Sequence, residues 1–196
     1  MPRCARQLVT GETYHLTSRG TDRRDVFLDD DDRQRFVLRL GAACTKRVVS
    51  CLGYCLMGNH IHLVVRGEAQ SVSACMRDVL GGHAQFFNRR HARTGHLFGG
   101  RFHDVHVATD RQLSAVLRYV ALNPVRAGLV TVPEAWPWSS YAALLAGVVH
   151  PGTCDVAALA DSVLPADVPR VTLVRYLKTL VETGLADARL EARMRE

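Results

Sequence analysis

Two histidines stand one residue apart at the start of an apolar run in the stretch YCLMGNHIHLVV, residues 54–65. If this run is a strand, His60 and His62 project from the same face, because side chains two positions apart share a face. Two imidazoles at that spacing can converge on one metal ion. The pair alone is equally explained by two half-exposed polar residues on a sheet. The apolar residues Ile61 and Leu63 must then face the other way, toward helices, which argues slightly for a site.

A second reactive group lies on a predicted helix over residues 109–123. Tyr119 and Asn123 are four positions apart, so they share one helical face, and a helix laid across the sheet could present both over His60 and His62. Asn123 would offer a carbonyl oxygen to the metal, and Tyr119 would place its hydroxyl nearby. A divalent ion polarises a phosphoryl oxygen and orients the leaving group, which would let a weak tyrosine nucleophile attack a phosphodiester. The mixed ligands favour magnesium or manganese, with zinc as an alternative.

The elements that must position these groups follow from hydrophobic periodicity and turn signals. Strands are predicted at 13–19, 48–56, 60–65 and 102–108, and helices at 29–47, 71–91 and 109–123. Thr109 or Asp110 caps the third helix and Pro124 marks its end. The aspartates at 29–32 favour helix capping over metal binding. The mixed element order predicts an α+β fold, an antiparallel sheet with helices packed on a face. Residues 146–196 are predicted to form a helical extension of unknown role.

Composition restricts the class of partner. The chain has 196 residues and a net charge of +6, carried mostly by arginine. Arginine forks onto phosphate and stacks on bases, so nucleic acid is favoured over an anionic membrane. No run approaches the roughly 18 apolar residues of a membrane span, and no signal peptide is visible. These features predict a soluble cytoplasmic protein.

The six cysteines form no C-x-x-C pair. Cys51 and Cys55 would share one face of a strand about 13 Å apart, which is too far for a disulfide. Reduced, packed cysteines are therefore expected, as in cytosolic proteins.

Several longer motifs occur together in one order. They are YHLTSRG (14–20), YCLMGNHIHLVV (54–65), FNRRHARTGHLFGGRF (87–102), RYVALNPVRAGLV (118–130) and WPWSSY (136–141). On these motifs the chain resembles the single-tyrosine HUH transposases, and most closely the branch associated with repetitive extragenic palindromes (REP). The resemblance covers roughly residues 8–145, and an HUH transposase-like domain is therefore predicted over residues 1–145.

The resemblance implies a role for each reactive residue. His60 and His62 match the histidines that bind the metal, and Asn123 falls where this branch places the third ligand. Tyr119 matches the nucleophile, which would attack single-stranded DNA and leave a 5′-phosphotyrosine and a free 3′-hydroxyl. The family's fold is like that of an RNA-recognition motif, and its members read hairpin DNA.

The basic residues become candidate DNA contacts, each with a solvated surface role as the alternative. They are Arg19, Arg23, Arg24, Arg89, Arg90, Arg101 and Arg126. Trp136 and Trp138 could stack on bases, but packing against the sheet is favoured. His15 is expected to have a structural role. His103 and His106 are three apart in a strand, face opposite sides and make a poor metal pair.

The sequence thus predicts a metal-dependent endonuclease and strand transferase that cuts and rejoins single-stranded DNA at a hairpin, with magnesium or manganese as cofactor. It would be cytoplasmic, and nucleoid-associated when bound to DNA. The main alternative is a domesticated protein that binds DNA hairpins without catalysis, although Tyr119 and both histidines remain. An RNA-directed role is disfavoured, because the aromatic signature of RNA-recognition motifs is absent. A homodimer and a monomer are equally allowed.

Overall fold

The computed structural model describes residues 8–186 and 188 as an antiparallel sheet with helices packed on it. The strands are β1 (Thr13–Arg19), β2 (Ser50–Leu56), β3 (His60–Arg66) and β4 (His103–Val107). The helices are α1 (Asp30–Arg47), α2 (Ala69–Arg90), α3 (Asp110–Arg126), α4 (Ser140–Ala146), α5 (Val156–Val163) and α6 (Leu173–Glu182). The strand order is β2-β3-β1-β4, and every pairing is antiparallel. The predicted α+β class is confirmed.

The sheet separates two hydrophobic clusters. On one face, Leu16, Ile61 and Leu63 are fully buried and belong to the cluster that α1 and α2 complete. Each such side chain contributes about 1.5–3 kcal/mol to folding by leaving water. The opposite face carries Val64 and Val107, which pack with α3 and the helices that follow it. Because side chains alternate along a strand, this second face also receives His60 and His62.

A bulge in β2 overturns one sequence prediction. Cys51 and Cys55 were expected on one face, yet Cys51 lies in the cluster under α1 and α2, and Cys55 lies in the cluster under α3. The cause is a register shift between Cys51 and Gly53 against β3, which inserts one residue and reverses the alternation. The five described cysteines, Cys44, Cys51, Cys55, Cys75 and Cys154, are free and buried, as expected; Cys4 lies outside the described residues.

Asp29 precedes α1 and caps it, as predicted. The Asp29 carboxylate accepts a hydrogen bond from the Asp32 amide at 3.0 Å, which satisfies a helix-terminal N–H that has no partner inside the helix. Asp32 is itself buried and accepts from the Leu28 amide at 2.8 Å.

Helix α3 begins as predicted and ends later than predicted. The Thr109 side chain accepts from the Gln112 amide, and Gln112 reaches back to the Thr109 amide, which makes a capping box. Pro124 does not end the helix, which continues to Arg126. Proline removes a single N–H donor, and the ladder resumes when the Ala127 amide donates to the Asn123 carbonyl at 2.9 Å.

The chain beyond residue 146 packs against α3 and against the β2 side of the sheet, where the Asp155 amide donates to the Cys51 carbonyl at 2.7 Å. Leu159 of α5 and Leu177 and Val181 of α6 are buried in the same cluster as Leu117 and Val120 of α3. Two polar contacts join them: the Ser114 and Tyr176 hydroxyls lie 2.9 Å apart, and the Arg118 guanidinium donates to Thr183 Oγ1 at 3.1 Å. The C-terminal helices therefore brace the helix that carries Tyr119. No helix of the described chain is long and apolar enough to cross a bilayer.

Candidate active site

The two histidines and the tyrosine meet above the sheet within one chain. His60 and His62 leave β3 on the face that α3 covers, with ring centroids 4.9 Å apart and planes at 86°. The Tyr119 ring lies 5.6 Å from the His62 ring, edge on, at 87°. The two groups predicted from spacing therefore lie at one site, which a strand hairpin and a crossing helix create together.

Each histidine has one ring nitrogen held by a neighbour. His60 Nδ1 lies 2.6 Å from Asn59 Oδ1, and because an amide oxygen only accepts, His60 Nδ1 carries the proton. His62 Nδ1 lies 3.0 Å from His15 Nε2. His62 Nε2 is buried and has no hydrogen-bond partner among the described residues. A buried polar atom without a partner requires an explanation, and a ligand position is one.

Burial keeps both imidazoles neutral. Desolvation, with a smaller contribution from the Arg19 charge, lowers the pKa of His60 to about 4. Desolvation again dominates at His62, where the neighbouring His60, His15 and Arg19 help to lower the pKa to about 3, while the adjacent Asn123 amide opposes the shift. A neutral imidazole has a lone pair for a metal, so both side chains are ready ligands at neutral pH.

Helix α3 delivers Asn123 and Tyr119 one turn apart. Asn123 is 9% exposed, and its Nδ2 donates to the Tyr119 carbonyl at 3.0 Å, which leaves Oδ1 as the oxygen available to a metal. Tyr119 is 41% exposed, although it lies beside the buried His62 and the half-buried His60. The Arg126 guanidinium lies 5.1 Å from the centre of its ring, which keeps the ring in place by a cation–π contact.

A groove of about 670 Å³ opens beside these residues along β1 and β4. Three of the predicted arginines line it: Arg19, Arg23 and Arg101. The glycine-rich loop that follows α2 forms one wall, because the Thr21 amide donates to the Leu97 carbonyl and the Gly99 amide donates to the Arg19 carbonyl, both at 3.0 Å. Tyr119, His60 and His62 face the same groove, so a bound polyanion would pass directly over them.

The remaining arginines fall into different environments. Arg24 and Arg89 are exposed outside the groove. Arg126 stacks on Tyr119. Arg90 makes salt bridges of 2.6 Å to Asp29, 3.2 Å to Asp31 and 2.7 Å to Asp32. Because three carboxylates hold Arg90 at the start of α1, its charge acts mainly within the protein.

The tryptophans have the anchoring role that was favoured. Trp136 Nε1 donates to the Leu56 carbonyl at 3.0 Å, and the Leu56 amide donates to the Trp138 carbonyl at 2.9 Å. The WPWSSY segment thus fixes the end of β2, next to the turn that leads to His60. Sequence reasoning gave too little weight to His15, which contacts His62 directly.

The set fits a divalent ion with few protein ligands. The unpartnered His62 Nε2, the neutral His60 ring and Asn123 Oδ1 are the donors. Within residues 8–186 and 188, no group of three or more His, Cys, Asp or Glu side chains could hold a metal. Two nitrogens and one amide oxygen therefore make up the candidate site, with the rest of the coordination sphere open to a phosphate and water.

Comparison with known families identifies the family of the chain. The model of the IS200-like transposases matches residues 8–123, which include both histidines, Tyr119 and Asn123. The chain belongs to this transposase family, and it is a transposase enzyme. The resemblance noted from the motifs is confirmed.

The chain is also similar to individual transposases. A REP-associated tyrosine transposase candidate from Haemophilus influenzae is 25% identical over 147 residues, which span 69% of this chain and 83% of that protein. The solved structure of a REP-associated tyrosine transposase bound to a REP hairpin matches with a TM-score of 0.60 and 18% identity, over 77% of this chain and 89% of that one. A transposase structure from Deinococcus radiodurans matches at a TM-score of 0.42 and 16% identity, over 61% of this chain and 95% of that one.

Proposed function

We propose that this transposase cuts and rejoins single-stranded DNA at hairpin-bearing repeats, through a covalent 5′-phosphotyrosine on Tyr119. The observation that carries the proposal is an exposed tyrosine, Tyr119, whose ring centroid lies 5.6 Å from that of the buried His62. Among the described residues, His62 Nε2 has no hydrogen-bond partner. Hairpin DNA is proposed as substrate because a solved relative of the same fold is bound to a REP hairpin.

The chemistry is a transesterification. The Tyr119 oxygen attacks the phosphorus, the bond from phosphorus to the 3′-oxygen breaks, and the 3′-oxygen gains a proton as the phenol loses one. A magnesium or manganese ion held by His60, His62 and Asn123 would polarise the phosphoryl oxygen and orient the leaving group. No bond energy is lost, so a later 3′-hydroxyl can reverse the step and join strands.

The protein's own residues hold the reactants in place. Arg126 lies over the Tyr119 ring, and the rings of His62 and His15 lie edge on to it, so three side chains restrict its position. Arg19, Arg23 and Arg101 would bind the phosphates of a strand in the groove, and the exposed Arg24 and Arg89 would bind the hairpin stem. We assign Arg90 a supporting role at the start of α1, because its salt bridges compete with DNA.

The tyrosine and the histidines of one chain already meet. This supports attack in cis by a monomer, without a helix from a second copy. When it is bound to chromosomal repeats, such a protein would be associated with the nucleoid.

The test uses one REP-like hairpin oligonucleotide labelled at either its 5′ or its 3′ end. Wild type with manganese should give a denaturation-resistant complex that keeps only the 3′-side label, and EDTA should abolish it. Tyr119→Phe should bind the hairpin but form no covalent, denaturation-resistant complex with it. His62→Gln should give the same result. Binding without cleavage by wild type, across several hairpins and with either metal, would instead support the non-catalytic alternative.

A further inference from the structure

A third histidine, His15 of β1, lies against the proposed metal ligand. Its Nε2 is 3.0 Å from His62 Nδ1, and the two rings stack with centroids 5.2 Å apart and planes at 24°. Its other neighbours are Tyr119 of α3, with ring centroids 6.0 Å apart, and the basic side chain of His103 on β4. His15 therefore contacts both a proposed ligand and the proposed nucleophile, and its Nε2 is engaged by His62.

The hydrogen bond between the two histidines decides which nitrogen of His62 can bind a metal. A neutral imidazole carries one proton, on either Nδ1 or Nε2. If His15 donated to His62 Nδ1, the proton of His62 would sit on Nε2, which is buried and makes no hydrogen bond to any described residue, although the Asn123 amide is adjacent. A buried donor that makes no hydrogen bond is unfavourable. If His62 Nδ1 donates to His15 Nε2 instead, His62 Nε2 presents a lone pair.

The neighbouring ligand has a different acceptor. His60 donates from Nδ1 to Asn59 Oδ1 at 2.6 Å, which frees its own Nε2. An amide oxygen can only accept, so the tautomer of His60 is fixed without ambiguity. His15 can accept only when its own proton is on Nδ1. The two ligands thus depend on two separate neighbours, and the neighbour of His62 is a titratable ring.

We propose that His15 is a positioning residue that accepts the Nδ1 proton of His62 and so orients His62 Nε2 as a metal ligand. The proposal rests on the proposed function for the identity of the ligands, but its structural claim concerns the metal-free protein. Partners of ligating histidines commonly change metal affinity 10–100-fold when they are removed. Tyr119 gains from the same contact, because the His15 ring forms one wall of its position.

A matched pair of substitutions separates the acceptor from the ring. His15→Phe keeps a flat ring and removes the acceptor, whereas His15→Gln places an amide oxygen near the position of Nε2. In metal-free protein, long-range ¹H–¹⁵N NMR of the histidine rings reads the tautomer of His62. Calorimetric titration with Mn²⁺ reads affinity, and urea unfolding confirms that each variant is folded.

We expect the Nδ1–H tautomer of His62 in wild type. His15→Phe should populate the Nε2–H form and weaken Mn²⁺ binding about 10-fold or more, and His15→Gln should recover most of the loss. An Nε2–H tautomer in wild type would overturn the proposal, as would Mn²⁺ binding that the two variants weaken equally. If His15→Phe fails to fold, the wild-type tautomer and the His15→Gln titration still decide. Failure of DNA cleavage with the expected tautomer would reject the proposed function and leave this inference intact.

Discussion

Acid should destabilise the metal-free protein through the buried His62 by an amount that follows from the lowered pKa of this side chain. Burial lowers the pKa of His62 from 6.5 to about 3, so between these values the unfolded chain binds a proton that the folded chain does not. Stability contributed by the neutral ring is therefore fully present above pH 6.5 and falls as the pH decreases. At pH 5, which is 1.5 units below the unfolded pKa, the loss is about 2 kcal/mol at 1.36 kcal/mol per unit.

The assay is urea unfolding of EDTA-treated protein at pH 7 and pH 5, followed by the fluorescence of Trp136 and Trp138. Wild type should lose more stability between the two pH values than His62→Gln, by about 2 kcal/mol. Carboxylates and the other histidines titrate in both proteins, so most of their contribution cancels in the difference. Equal losses in the two proteins would refute the reasoning, because they would mean that His62 is solvated enough to protonate in the folded state.

Two further predictions concern the packing of the C-terminal helices on α3 and the arginine-lined groove. Leu177→Ala should lower the free energy of unfolding by about 2–5 kcal/mol, because Leu177 is only 5% exposed where it packs against α3. The control Val171→Ala, at an 87% exposed position, should change the free energy of unfolding by less than about 0.5 kcal/mol. Equal effects of the two substitutions in chemical denaturation would contradict the packing. Arg19→Ala should weaken binding to a hairpin oligonucleotide and reduce the slope of log affinity against log salt by about 1. Arg90→Ala should mainly destabilise the fold, because it removes the guanidinium that pairs with the buried Asp32 and leaves that carboxylate only its contacts with His91 and the Leu28 amide. Fluorescence anisotropy across a salt series distinguishes the two variants, and a slope changed by Arg90→Ala alone would contradict the assignment.

The central part of the site could be predicted because its signals are local. Alternation in HIHLVV places His60 and His62 on one strand face, and helical periodicity places Tyr119 and Asn123 one turn apart. The structure brings the two pairs together as expected. Each inference needed only one element and its period, which are the features that a single sequence specifies best.

The remaining features depend on pairing between distant segments. His15 reaches His62 because β1 pairs with β3 in the register that sets Thr17 opposite His62 and Arg19 opposite His60, and the alternation of β1 alone does not reveal that register. The bulge after Cys51 could not be predicted either, because strict alternation along the strand assumes that no residue is inserted.

The sequence also did not reveal which residues pair with the charged side chains. Arg90 follows 58 positions after Asp32 along the chain, and only the packing of α2 on α1 brings them within 2.7 Å. An arginine count could therefore not separate groove residues from structural ones.

The most direct test of the account is to locate the DNA on the protein. After reaction of wild type with a hairpin oligonucleotide and manganese, nuclease trimming and trypsin digestion, mass spectrometry should find a nucleotide adduct on the peptide of residues 119–126, YVALNPVR, whose only hydroxylated aromatic side chain is Tyr119. Adduct mass on that peptide, lost in Tyr119→Phe, is the predicted result. Metal-dependent cleavage with the adduct on another residue, or with no adduct at all, would contradict the assignment of Tyr119 as the nucleophile.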